Sequence, residues 1–122
     1  PLGYTVALGL PELREKIAAL YGRWYGVTVD PGRVVVTAGA SGAFLLAFTA
    51  LFDVGQRVGL AASGYPSYRK ILSAMSLDPV AIRGEAAHGF QPQPADVAGL
   101  DGLIVASPAN PTGSGSVRRT AK

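Results

Sequence analysis

The apolar positions change rhythm several times along the chain, and each change predicts an element. From Pro11 to Tyr25 the residues Leu13, Ile17, Leu20, Tyr21 and Trp24 recur at helical spacing. Glu12, Arg14, Glu15 and Lys16 fall mostly off that face, so the pattern predicts an amphipathic helix with Trp24 turned to a core. Pro11 suits the first helical turn, where its missing N–H costs nothing, and Gly26 suits the stop. Asp30-Pro31-Gly32 is a turn signal. Val34, Val35 and Val36 follow as a β-branched run, expected to be a short strand buried on both faces.

A glycine-rich turn, Thr37-Ala38-Gly39-Ala40-Ser41-Gly42, then opens into Ala43 to Phe52. That stretch is apolar on nearly every side, as a fully buried helix would be. Strands are expected over Val58 to Ala62, Pro79 to Arg83 and Leu103 to Ala106. Between the first two of these, Pro66 to Met75 reads as a helix with Tyr68, Ile71, Leu72 and Met75 on one side. Gly84 to Gly99 and Ser107 to Gly115 read as loops. Strands alternating with helices predict an α/β fold, a partial three-layer sandwich around a mostly parallel sheet. In such sheets ligands gather at the carboxyl ends of the strands. The loops at Gly39, Tyr65 and Asn110 each follow an expected strand, so all three are expected along one sheet edge.

Composition narrows the function classes. The chain has 122 residues, 48% of them apolar and 16% charged, which suits one folded domain rather than a disordered segment. No apolar run approaches the roughly 18 residues of a membrane-spanning helix, so no membrane partner is expected. With no cysteine and the single histidine His88, disulfides, thiol catalysis and multi-His metal sites are excluded, and no metal site is expected. The lack of cysteine and of a signal-like start fits the cytoplasm. The net charge is +3, and removing Arg118, Arg119 and Lys122 leaves eight basic against eight acidic residues. No basic stripe with interleaved aromatics is present, so no nucleic-acid partner is expected.

The three loops carry the candidate chemistry. Gly39, Ala40 and Ser41 place a flexible backbone, a hydroxyl and a helix N-terminus together, which suits a phosphate or equally a packing-driven helix cap. Tyr65, in Gly64-Tyr65-Pro66-Ser67-Tyr68, can cover a flat heterocycle or be a half-buried loop tyrosine, while Tyr68 falls at core spacing. Asn110, in Asn110-Pro111-Thr112-Gly113, can hold a phenolic oxygen through its amide or be an ordinary turn residue. His88 stands in no motif.

These pieces occur in a recognisable order. Tyr4-Thr5 comes first, then Gly9-Leu10-Pro11-Glu12-Leu13-Arg14, Ile17-Ala18, Val36 to Ser41, Gly64 to Tyr68 and Ala109 to Gly113. The ordered set resembles the N-terminal part of the large domain of class I/II aminotransferases, fold-type-I enzymes that use pyridoxal 5′-phosphate. The resemblance implies that residues 1–113 are a partial cofactor-binding large domain, preceded at 1–10 by an N-terminal segment, with 114–122 as an atypical tail. It implies that Gly39, Ala40 and Ser41 hold the cofactor phosphate, that Tyr65 stacks on the pyridine ring, and that Asn110 bonds its phenolic oxygen. Tyr4 would reach the phosphate of a neighbouring subunit in a homodimer.

The implied reaction is amino-group transfer from an amino acid to a 2-oxo acid in the complete enzyme. A lyase on the same cofactor, or a non-catalytic phosphate- or cofactor-binding α/β domain, are the alternatives. The family's cofactor-bonding lysine lies beyond the Asn-Pro-Thr-Gly turn, and Lys16, Lys70 and Lys122 do not match its place. No catalytic residue is therefore assigned. The 122-residue chain is expected to be an inactive truncated or frameshifted piece whose cofactor affinity is weak or absent.

Overall fold

In the computed structural model, which describes residues 3, 4, 6–85, 88, 90–110 and 113, the chain divides into two units, Pro1–Ala43 and Phe44–Lys122. The expected tail at 114–122 lies outside the described residues.

The first unit is built around helix α1, Pro11–Tyr25. Pro11 opens it, Glu12 places a negative charge in the first turn and Arg23 a positive one in the last, both favourable to the helix dipole. Gly26 ends it in the left-handed conformation, its N–H bonded to the Gly22 carbonyl at 3.0 Å. The guanidinium of Arg14 then ties α1 to the chain that follows. Its Nε donates to the Val34 carbonyl and its Nη2 to the Pro31 carbonyl, each at 2.8 Å. Pro31–Arg33 is a single 3-10 turn held by the Asp30 carboxylate, which accepts from the Gly32 N–H.

Two expectations fail in this unit. Ala18 is the buried residue of α1, whereas Leu13 and Tyr21 are exposed and Trp24 is 67% exposed rather than in a core. The α1 aromatics instead lie against one another, Tyr21 and Tyr25 at 5.6 Å and Trp24 and Tyr25 at 6.3 Å between ring centroids. Val34, Val35 and Val36 do not form a strand, and Val35 is half exposed. β-branched residues make a strand only beside a partner ladder. Among the described residues the run receives a single rung, from the Val36 N–H to the Leu8 carbonyl at 3.0 Å. Val36 also sets the residue opposite it: a Cβ on Gly9, whose φ is +97°, would lie 2.6 Å from the Val36 Cβ.

The second unit holds a three-stranded parallel sheet in the order β2-β1-β3. The strands are β1, Arg57–Ala61; β2, Asp78–Ile82; and β3, Gly102–Ile104. All three fall within about a residue or two of the expected bounds. Val58 pairs with Pro79 on one side and Gly102 on the other, and Leu60 with Ala81 and Ile104. Pro79 is tolerated because β2 pairs on one side only. Helix α2 spans Gly39–Leu51 and helix α3 spans Pro66–Ala74. Phe48 of α2 and Leu72 of α3 join Val58, Leu60 and Leu77 in the core, with Phe44, Phe52, Tyr68, Ile71, Met75 and Ile104 packed on them. Gly59 turns to the opposite face, where a Cβ would press on the terminal methyls of Leu100 and Ile82 and make them shift. A Cβ on Gly102 would run into the ring of Phe52, the residue after α2, and the ring would have to move.

The helix after the glycine-rich turn differs from expectation at its start and in its burial. It begins at Gly39 rather than Ala43, with Thr37 Oγ1 bonded to the Gly39 carbonyl at 2.9 Å. Phe48 is its buried residue, while Leu45, Leu46 and Leu51 are half exposed or more. Its core contacts fall to one side, and among the described residues the apolar side chains on its other side have no such cover. No helix among the described residues is long and apolar enough to cross a membrane.

Candidate functional site

Two loops leave the carboxyl ends of neighbouring parallel strands in the second unit. β1 ends at Ala61, and Gly64 folds back with its N–H on the Ala61 carbonyl at 2.9 Å. Pro66 then starts α3 and holds the preceding Tyr65 in extended backbone, φ −61° and ψ 122°. The Tyr65 ring is left half exposed. From β3 the chain runs to Ala109, where the Gly113 N–H closes a turn on the Ala109 carbonyl at 2.7 Å. Gly113 has φ +68°, a conformation that favours glycine. Asn110 is exposed in this turn, and Pro111 and Thr112 lie outside the described residues.

Because β1 and β3 are adjacent, Tyr65 and Asn110 line one cleft. Tyr68, Phe90, Gln91 and Pro92 complete its rim and floor. It encloses about 30 Å³, room for little more than a water molecule, so it offers faces and edges rather than a closed chamber. Its described lining contains no lysine. The cleft presents an aromatic ring face, a carboxamide and apolar walls, which together suit a flat heterocycle with a polar substituent on its edge.

Phe90 and Gln91 were not legible from the sequence pattern. Gln91 is a buried polar residue, and Phe90 adopts φ +60°, unusual for an aromatic residue. The turn that carries them is held by the Glu85 carbonyl, which accepts from the His88 and Phe90 N–H groups at 3.0 and 2.9 Å. A Cβ on Gly84 would collide with the Phe90 carbonyl, so the turn closes only over glycine. His88 itself is exposed.

The other expected site residues lie in the first unit. Gly39, Ala40 and Ser41 form the exposed first turn of α2, which contains no acidic residue. The Gly39 N–H is held by the Thr37 carbonyl at 2.8 Å, whereas the N–H groups of Ala40 and Ser41 belong to a first turn, whose donors have no partner within the helix and are available to an anion. Contrary to expectation, Gly39 does not follow a strand. Tyr4 is fully exposed. Lys16 on α1 and Lys70 on α3 are exposed, and Lys122 lies outside the described residues. Among the described residues, no group of three or more His, Cys, Asp or Glu side chains gathers as metal ligands would.

The three-stranded parallel sheet with its helices defines an α/β fold, and sequence comparison gives the family. The family model for aminotransferase class I and II matches residues 2–118, and the chain belongs to that family. A valine–pyruvate aminotransferase from Mycobacterium tuberculosis is 55% identical over 93% of this chain and 30% of its own length. A crystal structure of an aminotransferase from the same organism superposes with a TM-score of 0.85 at 54% identity, covering 90% of this chain and 30% of that one. A candidate aminotransferase from Silicibacter pomeroyi matches with a TM-score of 0.81 at 64% identity, over 84% of this chain and 28% of that one. The chain thus spans about 30% of the length of the curated relatives it matches. Pyridoxal 5′-phosphate is the cofactor that membership of this family implies.

Proposed function

We propose that this chain supplies part of the cofactor site of a pyridoxal-phosphate-dependent aminotransferase, which moves an amino group from an amino acid to a 2-oxo acid. The observation that carries this reading is the shared cleft of Tyr65 and Asn110 at the ends of β1 and β3. Their chemistry fits the cofactor ring, and the acid-free first turn of α2, taken by itself, fits a phosphate. When bound, the cofactor supplies the electron sink for reaction at the amino acid's α-carbon. Tyr65 covers the ring face and keeps water from it. Asn110 donates its amide N–H to the phenolic oxygen and so sets the ring's rotation in its plane. Ala40 and Ser41 donate backbone N–H groups and Ser41 its hydroxyl to phosphate oxygens, while Gly39, whose N–H is held by the Thr37 carbonyl, lets the phosphate approach the turn closely. The Tyr4 hydroxyl serves the phosphate of a second copy in a homodimer.

Titration of the chain with pyridoxamine 5′-phosphate, beside inorganic phosphate, tests the reading. Loss of an aromatic stacking partner costs about 1–3 kcal/mol, so Tyr65→Ala is expected to weaken pyridoxamine 5′-phosphate roughly 5- to 150-fold. Inorganic phosphate affinity stays unchanged. Equal affinity of wild type and variant for the ring compound contradicts the assignment.

A further inference from the structure

The Tyr65 ring rests on a continuous ladder of aromatic rings that reaches the core. Tyr65 and Tyr68 meet edge to face, with centroids 5.7 Å apart and planes at 78°. Tyr68 meets Phe44 in the same manner at 4.8 Å and 68°. Phe44 lies 5.6 Å from Phe48, and Phe48 lies 6.1 Å from Phe52. Phe48 is buried in the core, so the ladder is anchored there, and Tyr65 is its half-exposed outer end. The Tyr68 N–H also bonds the Tyr65 carbonyl at 3.1 Å, in the first turn of α3.

We propose that Tyr68 is a positioning residue: its ring, held by Phe44, fixes the plane of the Tyr65 ring at the cleft. A stacking residue contributes most when its rotamer is already set by packing before the ligand arrives. Tyr65 is half exposed and extended, and of the ring contacts it makes among the described residues the Tyr68 edge is the one that orients it. Tyr68 stands at helical spacing with Ile71, Leu72 and Met75, so its backbone is fixed by the core while its ring reaches the cleft wall. One residue thereby joins the packed core to the site. The inference rests on the proposed role of Tyr65 in covering the cofactor ring.

The experiment uses the 122-residue chain with ¹³C-labelled tyrosine rings, comparing wild type with Tyr68→Phe, Tyr68→Leu and Tyr65→Ala. Ring relaxation of Tyr65 is measured without ligand, and affinities are measured for pyridoxamine 5′-phosphate and inorganic phosphate. Tyr68→Leu is expected to free the Tyr65 ring and to weaken pyridoxamine 5′-phosphate about two- to tenfold, the worth of one aromatic pair. Inorganic phosphate affinity is unchanged, and Tyr68→Phe behaves as wild type in both readouts. A merely structural Tyr68 would lower the melting temperature and leave the order of the Tyr65 ring as it was, which overturns the proposal. If Tyr68→Leu does not fold, Phe44→Leu removes the next ring of the ladder and must loosen Tyr65 in the same way. If Tyr65→Ala leaves pyridoxamine 5′-phosphate affinity unaltered, the reading of the cleft fails. The relaxation data then still decide whether Tyr68 positions Tyr65.

Discussion

The two units order their chains by different means. In Phe44–Lys122 a parallel sheet buries Val58, Leu60 and Leu72 against Phe48, and the loops that carry Tyr65 and Asn110 follow its strands. In Pro1–Ala43 the buried apolar residue among the described ones is Ala18. Order there comes from directed polar bonds: Arg14 on the Pro31 and Val34 carbonyls, and Val36 on Leu8. Burial is non-directional and grows with apolar area, whereas a hydrogen bond holds one geometry and adds only about 0.5–1.5 kcal/mol net. The second unit therefore rests on burial and carries Tyr65 and Asn110 beyond the ends of adjacent strands, and the first depends on a few identifiable bonds.

Substitutions in each unit sharpen that contrast. The largest effect is expected from Leu72→Ala, which removes a side chain that is 0% exposed. Chemical denaturation should show a loss of about 2–5 kcal/mol. Arg14→Ala comes next. It leaves two carbonyls without their charged donor and should cost about 1.5–3 kcal/mol. Hydrogen exchange should accelerate at residues 31–36 and leave β1 protected, while equal acceleration in β1 would contradict the separation of the two units. The smallest effect belongs to Trp24→Ala, a large residue but an exposed one, with a stability change within about 0.5 kcal/mol. A loss as large as that of Leu72→Ala would place Trp24 in a core after all.

The same contrast explains what could be read from the sequence. The strands and α3 of the second unit were legible to about a residue or two, because their partners lie within the chain and each turn carries Gly or Pro. Tyr65 and Asn110 were legible as a pair because parallel neighbours send their loops to the same edge. Val34–Val36 misled because β-propensity does not supply a partner strand. Ala43–Phe52 misled because apolar composition says what a helix is able to bury, not what lies beside it. Phe90 and Gln91 stayed hidden because their place depends on a left-handed residue and on Gly84, neither of which has a period. Arg14 stood inside the Gly-Leu-Pro-Glu-Leu-Arg segment, yet nothing in its spacing announced the two carbonyls it holds.

The central claim is that the cleft between the ends of β1 and β3 receives the cofactor ring. Backbone amide NMR of the chain, titrated with pyridoxamine 5′-phosphate and separately with inorganic phosphate, tests it most directly. The account predicts shifts specific to the ring compound at Gly64, Tyr65, Ala109 and Asn110. Identical shifts with both compounds, or ring-specific shifts that leave these four residues unmoved, would contradict it.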